Sequence, residues 1–164
     1  MHNCIIYVMG VSGSGKTTIG KKLAERIGLP FFDGDDFHSP SNKEKMNKSI
    51  PLTDEDRKGW LLQMNQAAKD QAKLAGGVFA CSALKEKYRK ILASGITIPL
   101  YWIFLRGSFE LIKKRMDDRK DHFMPANLLA SQFDALEIPA NSIMIDIEKD
   151  PDEIVERIIS EIKG

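Results

Sequence analysis

An apolar run from Cys4 to Met9 leads without a break into Gly10-Val11-Ser12-Gly13-Ser14-Gly15-Lys16-Thr17, a full match to GxxxxGK[ST]. No other segment constrains the fold as strongly. Glycines in this pattern let the backbone take conformations closed to side chains, so that successive N–H groups converge on phosphate oxygens. The lysine adds a point charge, the threonine a hydroxyl suited to Mg²⁺, and the helix that follows aims its positive end at the same anion. Strand, loop and helix stand in the order that a nucleotide-phosphate site requires. The expected nucleotide contacts are Gly10, Ser12, Gly13, Ser14, Gly15, Lys16, Thr17 and Thr18.

The rest of the chain follows the same plan. Phe31 to Asp33, Val78 to Cys81, Leu100 to Leu105 and Ile143 to Ile147 are further short apolar runs. Continuous runs, unlike alternating ones, mark strands covered on both faces, as in parallel sheets. Helical stretches separate them. One spans Thr17 to Ile27, with Ile19, Leu23 and Ile27 in a stripe and Gly28 as its stop. Others run from about Trp60 to Leu74 and from Ser108 to Asp117. The last opens at Asp150-Pro151 and carries Ile154, Val155, Ile158, Ile159 and Ile162 on one side. The expectation is a single α/β domain over residues 1–164, a five-stranded parallel sheet wrapped by helices. Two stretches fall outside this scheme. The polar segment from His38 to about Asp56, taken with the helix after it to about residue 75, reads as an acceptor-binding insertion, and the charged segment 117–139 reads as a mobile lid.

Charge excludes some partners. Lys and Arg number 24 against 23 Asp and Glu in 164 residues, so no basic field favours nucleic acid or a membrane surface, and a small-molecule acceptor is expected. The first apolar run is too short to span a bilayer and has no cationic leader, which leads us to expect a cytoplasmic protein. Cys4 and Cys81 lack metal-ligand spacing and read as buried packing residues.

In a parallel sheet the carboxyl ends of the strands share one crevice. Asp33-Gly34-Asp35-Asp36 closes the second strand there, and Cys81-Ser82-Ala83-Leu84-Lys85 the third. Asp33 is placed to organise a Mg²⁺ shell with Thr17, and Asp35 to accept the proton of an attacking hydroxyl, while Asp36 fits a solvated turn. Arg57, after the Pro51-Leu52-Thr53 turn, suits a substrate carboxylate through its planar fork. His38 and His122 are read either as site residues or as helix caps. Lys85, Tyr88 and Arg89 share a helical face that points to the acceptor or to solvent. From the lid, Arg119 is expected to stabilise charge on the transferred group; Arg115 and Pro151 are expected to hold the adenine between them.

Taken together these segments resemble the gluconate kinases, within the shikimate kinase and adenylate kinase-like group. The resemblance covers almost the whole chain. It rests on Gly10 to Thr17, Asp33-Gly34-Asp35 with His38, Lys45-Met46, Pro51 to Arg57 with Trp60-Leu61, Cys81 to Lys85 with Tyr88-Arg89, and His122-Phe123-Met124 through Ser131-Gln132-Phe133 to Leu136-Glu137-Ile138-Pro139. It implies a three-layer P-loop kinase fold, with ATP and Mg²⁺ as cofactors and a homodimer with a moving lid. The implied reaction is phosphorylation of D-gluconate at its 6-hydroxyl. By position it implies Lys16, Asp35 and Arg119 as catalytic residues, Thr17 and Asp33 at the metal, and His38, Arg57, Ser82, Lys85, Arg89, His122 and Gln132 around gluconate. Some positions depart from the family's usual residues. Ser49-Ile50 stands where a glycine usually precedes the Pro-Leu pair, Gly59 where proline usually precedes the tryptophan, and Asp121 where glycine usually precedes the histidine. Shikimate, nucleoside monophosphate and other sugar-acid acceptors remain alternatives. A guanine-reading switch would need Asn-Lys-x-Asp, and neither Asn42-Lys43 nor Asn47-Lys48 supplies the aspartate.

Overall fold

The structure, a computed structural model, describes residues 3–118 and 126–164. Its five strands are β1 (Cys4–Met9), β2 (Phe31–Asp33), β3 (Gly76–Ala80), β4 (Leu100–Arg106) and β5 (Ile143–Asp146), in the order β2-β3-β1-β4-β5 with every pairing parallel. Each was expected from its apolar run. β3 is displaced toward the amino end of the expected stretch because Gly76 and Gly77 pair with Cys4 and Ile5. Only glycine fits the first of these positions: Gly76 has φ +103°, and a Cβ there would sit 2.0 Å from the Cys4 carbonyl oxygen.

Helices cover both faces, and β1 shows how. Cys4, Ile6 and Val8 point to one side and meet α1 (Lys16–Ile27), α5 (Phe109–Asp117) and α7 (Pro151–Lys163) through Ile19, Leu23, Ile112, Ile154, Val155 and Ile158. Ile5, Tyr7 and Met9 point to the other and meet α3 (Asp54–Ala72) and α4 (Glu86–Ala93) through Trp60, Leu61, Met64, Tyr88 and Leu92. The period of two along a strand splits one apolar run between two cores. Both cysteines are buried free thiols, as expected. Buried polar groups on the second face are matched: the Tyr7 hydroxyl and the Asn65 amide both donate to the Leu92 carbonyl, each at 3.0 Å, closing the end of α4.

The stretch between β2 and α3 is more ordered than its composition suggests. Gly34–Phe37 forms a 3-10 turn capped by Asp33, and α2 (Pro40–Asn47) follows, with Ser39 as its cap and Pro40 in its first turn. α3 begins at Asp54, well ahead of the expected Trp60, because Thr53 and Asp56 form a capping box. The Thr53 hydroxyl accepts from the Asp56 N–H at 3.1 Å, and the Asp56 carboxylate accepts from the Thr53 N–H at 2.9 Å. Arg57 therefore lies inside the first turns of a helix rather than before one. α6 (Ala126–Ala135) occupies part of the segment expected as a lid.

The departures from the family's usual residues have local consequences. Ser49 adopts φ +58°, the left-handed conformation glycine takes freely. Gly59 lies within α3 with open space where a Cβ would project. Gly59→Ala should accordingly raise the free energy of unfolding by roughly 0.5–1 kcal/mol, seen as a higher urea midpoint. An unchanged or lower midpoint would show that the helix does not need its propensity there.

Candidate active site

The phosphate loop closes β1 at the carboxyl edge of the sheet. Gly15, at the N-cap of α1, has φ +97° and offers no side chain, so the first amides of the helix are left to a ligand. A Cβ on Gly10 would meet Ser14 Oγ at 2.7 Å and the Leu105 carbonyl at 2.9 Å, so the loop folds tightly over its own serine and the end of β4. The Lys16 ammonium arches back to the Val11 carbonyl at 3.0 Å. Gly10 N–H reaches the Ser82 carbonyl at 3.4 Å, tying the loop to the end of β3. Thr18 is exposed in the first turn of α1.

Asp33 joins the loop to the acid turn. One carboxylate oxygen accepts from Thr17 Oγ1 at 3.1 Å and the other from the Asp35 N–H at 3.0 Å. A hydroxyl and a carboxylate together are hard oxygen donors, the chemistry a Mg²⁺ ion selects. Among the described residues no three His, Cys, Asp or Glu side chains form a metal cage, so a cation here would draw its other ligands from phosphate and water. Asp35 reaches solvent, yet protein closes around it. That desolvation first, and Asp33 beside it second, push its carboxyl up from the ordinary aspartate value, with Lys16 pulling the other way. The Cys81 thiol, buried behind them, is pushed up to about 12 by burial and stays inert.

The side expected to take the acceptor is built from α2, α3 and α4. Arg57 donates through Nη1 to the Leu52 carbonyl at 2.7 Å and to the Tyr88 hydroxyl at 3.2 Å, with its guanidinium carbon 5.3 Å from the Tyr88 ring centre. The Tyr88 hydroxyl in turn donates to Asp54 at 2.6 Å. Asp54 is held down at about 2 by its hydrogen bond from Lys87 first and that from Tyr88 second. His38 is buried and stacked on Trp60, ring centres 4.2 Å apart. Burial first, then the positive charges of Arg57 and Lys43, hold its pKa down to about 4, so it is neutral at physiological pH. Lys85, at the N-cap of α4, and Ser82 are half-buried on the same side.

Other expected site residues have different neighbours. Arg89 is 3% exposed, and its guanidinium donates to the Ala83 carbonyl at 2.7 Å, to the Glu137 carbonyl at 2.8 Å and to the Glu86 carboxylate at 3.1 Å. It fastens the loop after β3 to the segment after α6 rather than facing the crevice. Gln132, expected at the acceptor, reaches the phosphate loop: its Oε1 accepts from the Ser12 N–H at 2.8 Å and its Nε2 donates to Ser12 Oγ at 3.0 Å. Arg115 donates to the Ile147 carbonyl at 2.7 Å, which joins α5 to the turn before Pro151, the first residue of α7. Arg119 and His122 lie outside the described residues.

Asn42, Trp60 and Glu137 escaped the residue-level reading of the site. Asn42 is a buried polar side chain inside a polar segment, without a motif to mark it. Glu137 accepts from the Glu86 N–H at 2.7 Å, while its own N–H donates to the Leu84 carbonyl at 2.7 Å. Its place beside Pro139 in the last of the resembling blocks was the available signal. The concavity lined by Leu100, Tyr101, Trp102 and residues 140–143 sits at the opposite, amino edge of β4 and β5 and carries no charged side chain. A smaller cleft lined by Arg106, Ser108, Asp146 and Glu148 shares the crevice edge with the phosphate loop.

With the helix-start amides of the GxxxxGK[ST] loop on one wall and the acid turn of Asp33 and Asp35 on the other, the crevice is that of a P-loop kinase, where catalysis is positioning and charge. The comparisons with known proteins narrow this class. The shikimate kinase family model matches residues 12–163. A protein of Dictyostelium discoideum named "Probable gluconokinase" is 45% identical, over 97% of this chain and 86% of that one. The thermosensitive gluconokinase of Escherichia coli K12 is 44% identical, over 92% of this chain and 82% of its own length. The crystal structure of a gluconokinase from Sinorhizobium meliloti 1021 superposes with a TM-score of 0.87 at 40% identity, covering 96% and 90% of the two chains. The chain belongs to the gluconokinase family of P-loop kinases.

The geometry separates two arginines. Arg89→Ala should lower the free energy of unfolding by about 3 kcal/mol, because it strands buried carbonyls, whereas Arg57→Ala should lower it by less than about 1.5 kcal/mol. Urea titrations of the two variants check this, and an equal loss in both would refute the division of roles. The Asp35 carboxyl, raised in the folded state, favours folding while protonated and loses that contribution as pH rises through its folded pKa. Asp35→Asn should therefore unfold at higher urea than the native chain at pH 7, with the gap closing in acid. A gap that widens in acid would reverse the sign.

Proposed function

We propose that the protein transfers the γ-phosphoryl group of ATP to the 6-hydroxyl of D-gluconate, giving 6-phospho-D-gluconate and ADP. The observation that carries this reading is the Asp33 carboxylate, which joins the nucleotide loop to the acid turn in a chain similar over nearly its full length to gluconokinases. The loop amides and Lys16 hold the nucleotide phosphates, and Thr17 with Asp33 holds Mg²⁺. When bound, the cation neutralises charge on the β- and γ-phosphates. Asp35 accepts the proton of the attacking hydroxyl. The new bond forms between O6 and the γ-phosphorus as the bond to the β,γ-bridging oxygen breaks, and ADP departs with that oxygen. Arg57 and Lys85 bind the gluconate carboxylate, with His38 and Ser82 along the polyol. Arg89 acts as a positioning residue for the loop that carries Ser82. Gln132 couples α6 to Ser12.

The insertion over about 38–75 and the lid over about 117–139 belong to the same reading, with Arg119 and His122 brought in by the lid and Arg115 and Pro151 flanking the adenine. A cytoplasmic homodimer completes it. Net charge near zero supports a small-molecule acceptor rather than nucleic acid or a membrane. Among the described residues no helix is long and apolar enough to cross a membrane.

The test is a coupled ADP-release assay with Mg²⁺ and ATP over gluconate, other sugar acids, shikimate and nucleoside monophosphates. Gluconate should give the highest kcat/KM. Lys16→Ala and Asp35→Ala should each lose about 10²- to 10⁴-fold in kcat, and Arg57→Ala should raise the gluconate KM about tenfold or more with a smaller change in kcat. Strong turnover of another acceptor with none of gluconate would overturn the assignment.

A further inference from the structure

Asn42 sits buried in α2 with its amide between two acceptors. Nδ2 donates to the Asp56 carbonyl at 2.8 Å, which identifies that end as the NH₂ group, since an oxygen there would repel the carbonyl. The same Nδ2 lies 3.3 Å from His38 Nδ1. A ring nitrogen facing an N–H must present its lone pair, so the His38 proton resides on Nε2.

The surroundings keep the ring from turning over. His38 stacks on Trp60, whose indole N–H donates to the Gly34 carbonyl at 2.7 Å, and the His38 N–H reaches the Asp35 carbonyl at 3.3 Å. The ring is thus registered against the turn that carries Asp35. Among the described residues no group accepts from Nε2. That atom is also not sealed off, because Ser14 Oγ is the sole buried side-chain polar atom without a partner among the described residues. The charged groups that act on the ring are Arg57 from α3 and Lys43 from α2, both cationic and both opposed to an imidazolium.

We propose that Asn42 is a positioning residue that locks His38 as the neutral Nε2–H tautomer, so that the ring donates to a hydroxyl of the sugar-acid acceptor and leaves the carboxylate to Arg57. The proposal rests on the acceptor being a polyhydroxy acid. An imidazolium at this place would compete with Arg57 for the carboxylate and favour a reversed acceptor. An uncharged donor gives no such reward, so the acceptor's two ends stay distinguishable.

Long-range ¹H–¹⁵N spectra of the histidine-labelled protein, with His38 assigned by its loss in His38→Gln, read the ring without substrate. The native ring should show the Nε2–H pattern and stay neutral from pH 8 to pH 5. In Asn42→Asp the new carboxylate should draw a proton to Nδ1 and raise the titration by about one unit or more. In steady-state assays His38→Leu should raise the gluconate KM about five- to tenfold with kcat little changed, while His38→Gln, whose amide replaces the Nε2 donor, should stay within about twofold. An Nδ1–H ring in the native protein, titration near the ordinary histidine value, an unmoved titration in Asn42→Asp or an unchanged KM in His38→Leu would each overturn the proposal. The spectra report on the ring even if gluconate proves not to be the acceptor, so failure of the activity and failure of the tautomer are told apart.

Discussion

The Asp33 carboxylate is the joint on which the site depends. Its two oxygens bind the Thr17 hydroxyl at the start of α1 and the Asp35 amide at the start of the 3-10 turn. One side chain thus sets the distance between the phosphate loop and the acid turn proposed to meet the attacking hydroxyl. This is possible because β1 and β2 flank β3 in a parallel sheet, which brings their carboxyl ends to one edge. In-line transfer tolerates little error in that distance, and a rigid joint supplies the positioning that such chemistry requires.

Electrostatics divides the crevice. Around Asp35, which reaches solvent, desolvation first and the neighbouring Asp33 second raise proton affinity, the direction that suits a proton acceptor. Around Arg57 the opposite holds: Asp54 is kept ionised by Lys87 and Tyr88, and His38 is kept neutral. Beside His38 the positive charge therefore comes from Arg57 and Lys43, and the ring itself adds none. An acceptor with one anionic end and a run of hydroxyls matches that distribution better than a uniformly charged one.

The strand plan was legible because each strand is a short apolar run and the loop motif fixes the first β-α unit. The start of α3 was harder to see. Its capping box is local, but the surrounding prolines and acids give the segment the composition of a loop, and a helix that begins with Asp54-Glu55-Asp56 shows no apolar stripe until Trp60. The partners in long-range contacts were not legible, even where the residues stood in the resembling blocks. Arg89 reads as a residue facing the acceptor or solvent until the loop after β3 and the segment after α6 close over it. Gln132 likewise acquires its role only when α6 comes down on Ser12. Asn42 matters because Asp56 and His38, distant in kind and separate in sequence, converge on its amide. Motifs identify the groups that meet ligands; the residues that hold those groups in place emerge from packing.

Phosphorus NMR of the product formed from ATP and gluconate tests the central claim most directly. Transfer to the primary hydroxyl predicts a new monoester resonance split by both C6 methylene protons and matching 6-phospho-D-gluconate. A resonance coupled to a single proton would place the phosphoryl group on a secondary hydroxyl and contradict the orientation inferred from Arg57 and Asp35. The absence of any phosphorylated sugar acid would contradict the activity itself.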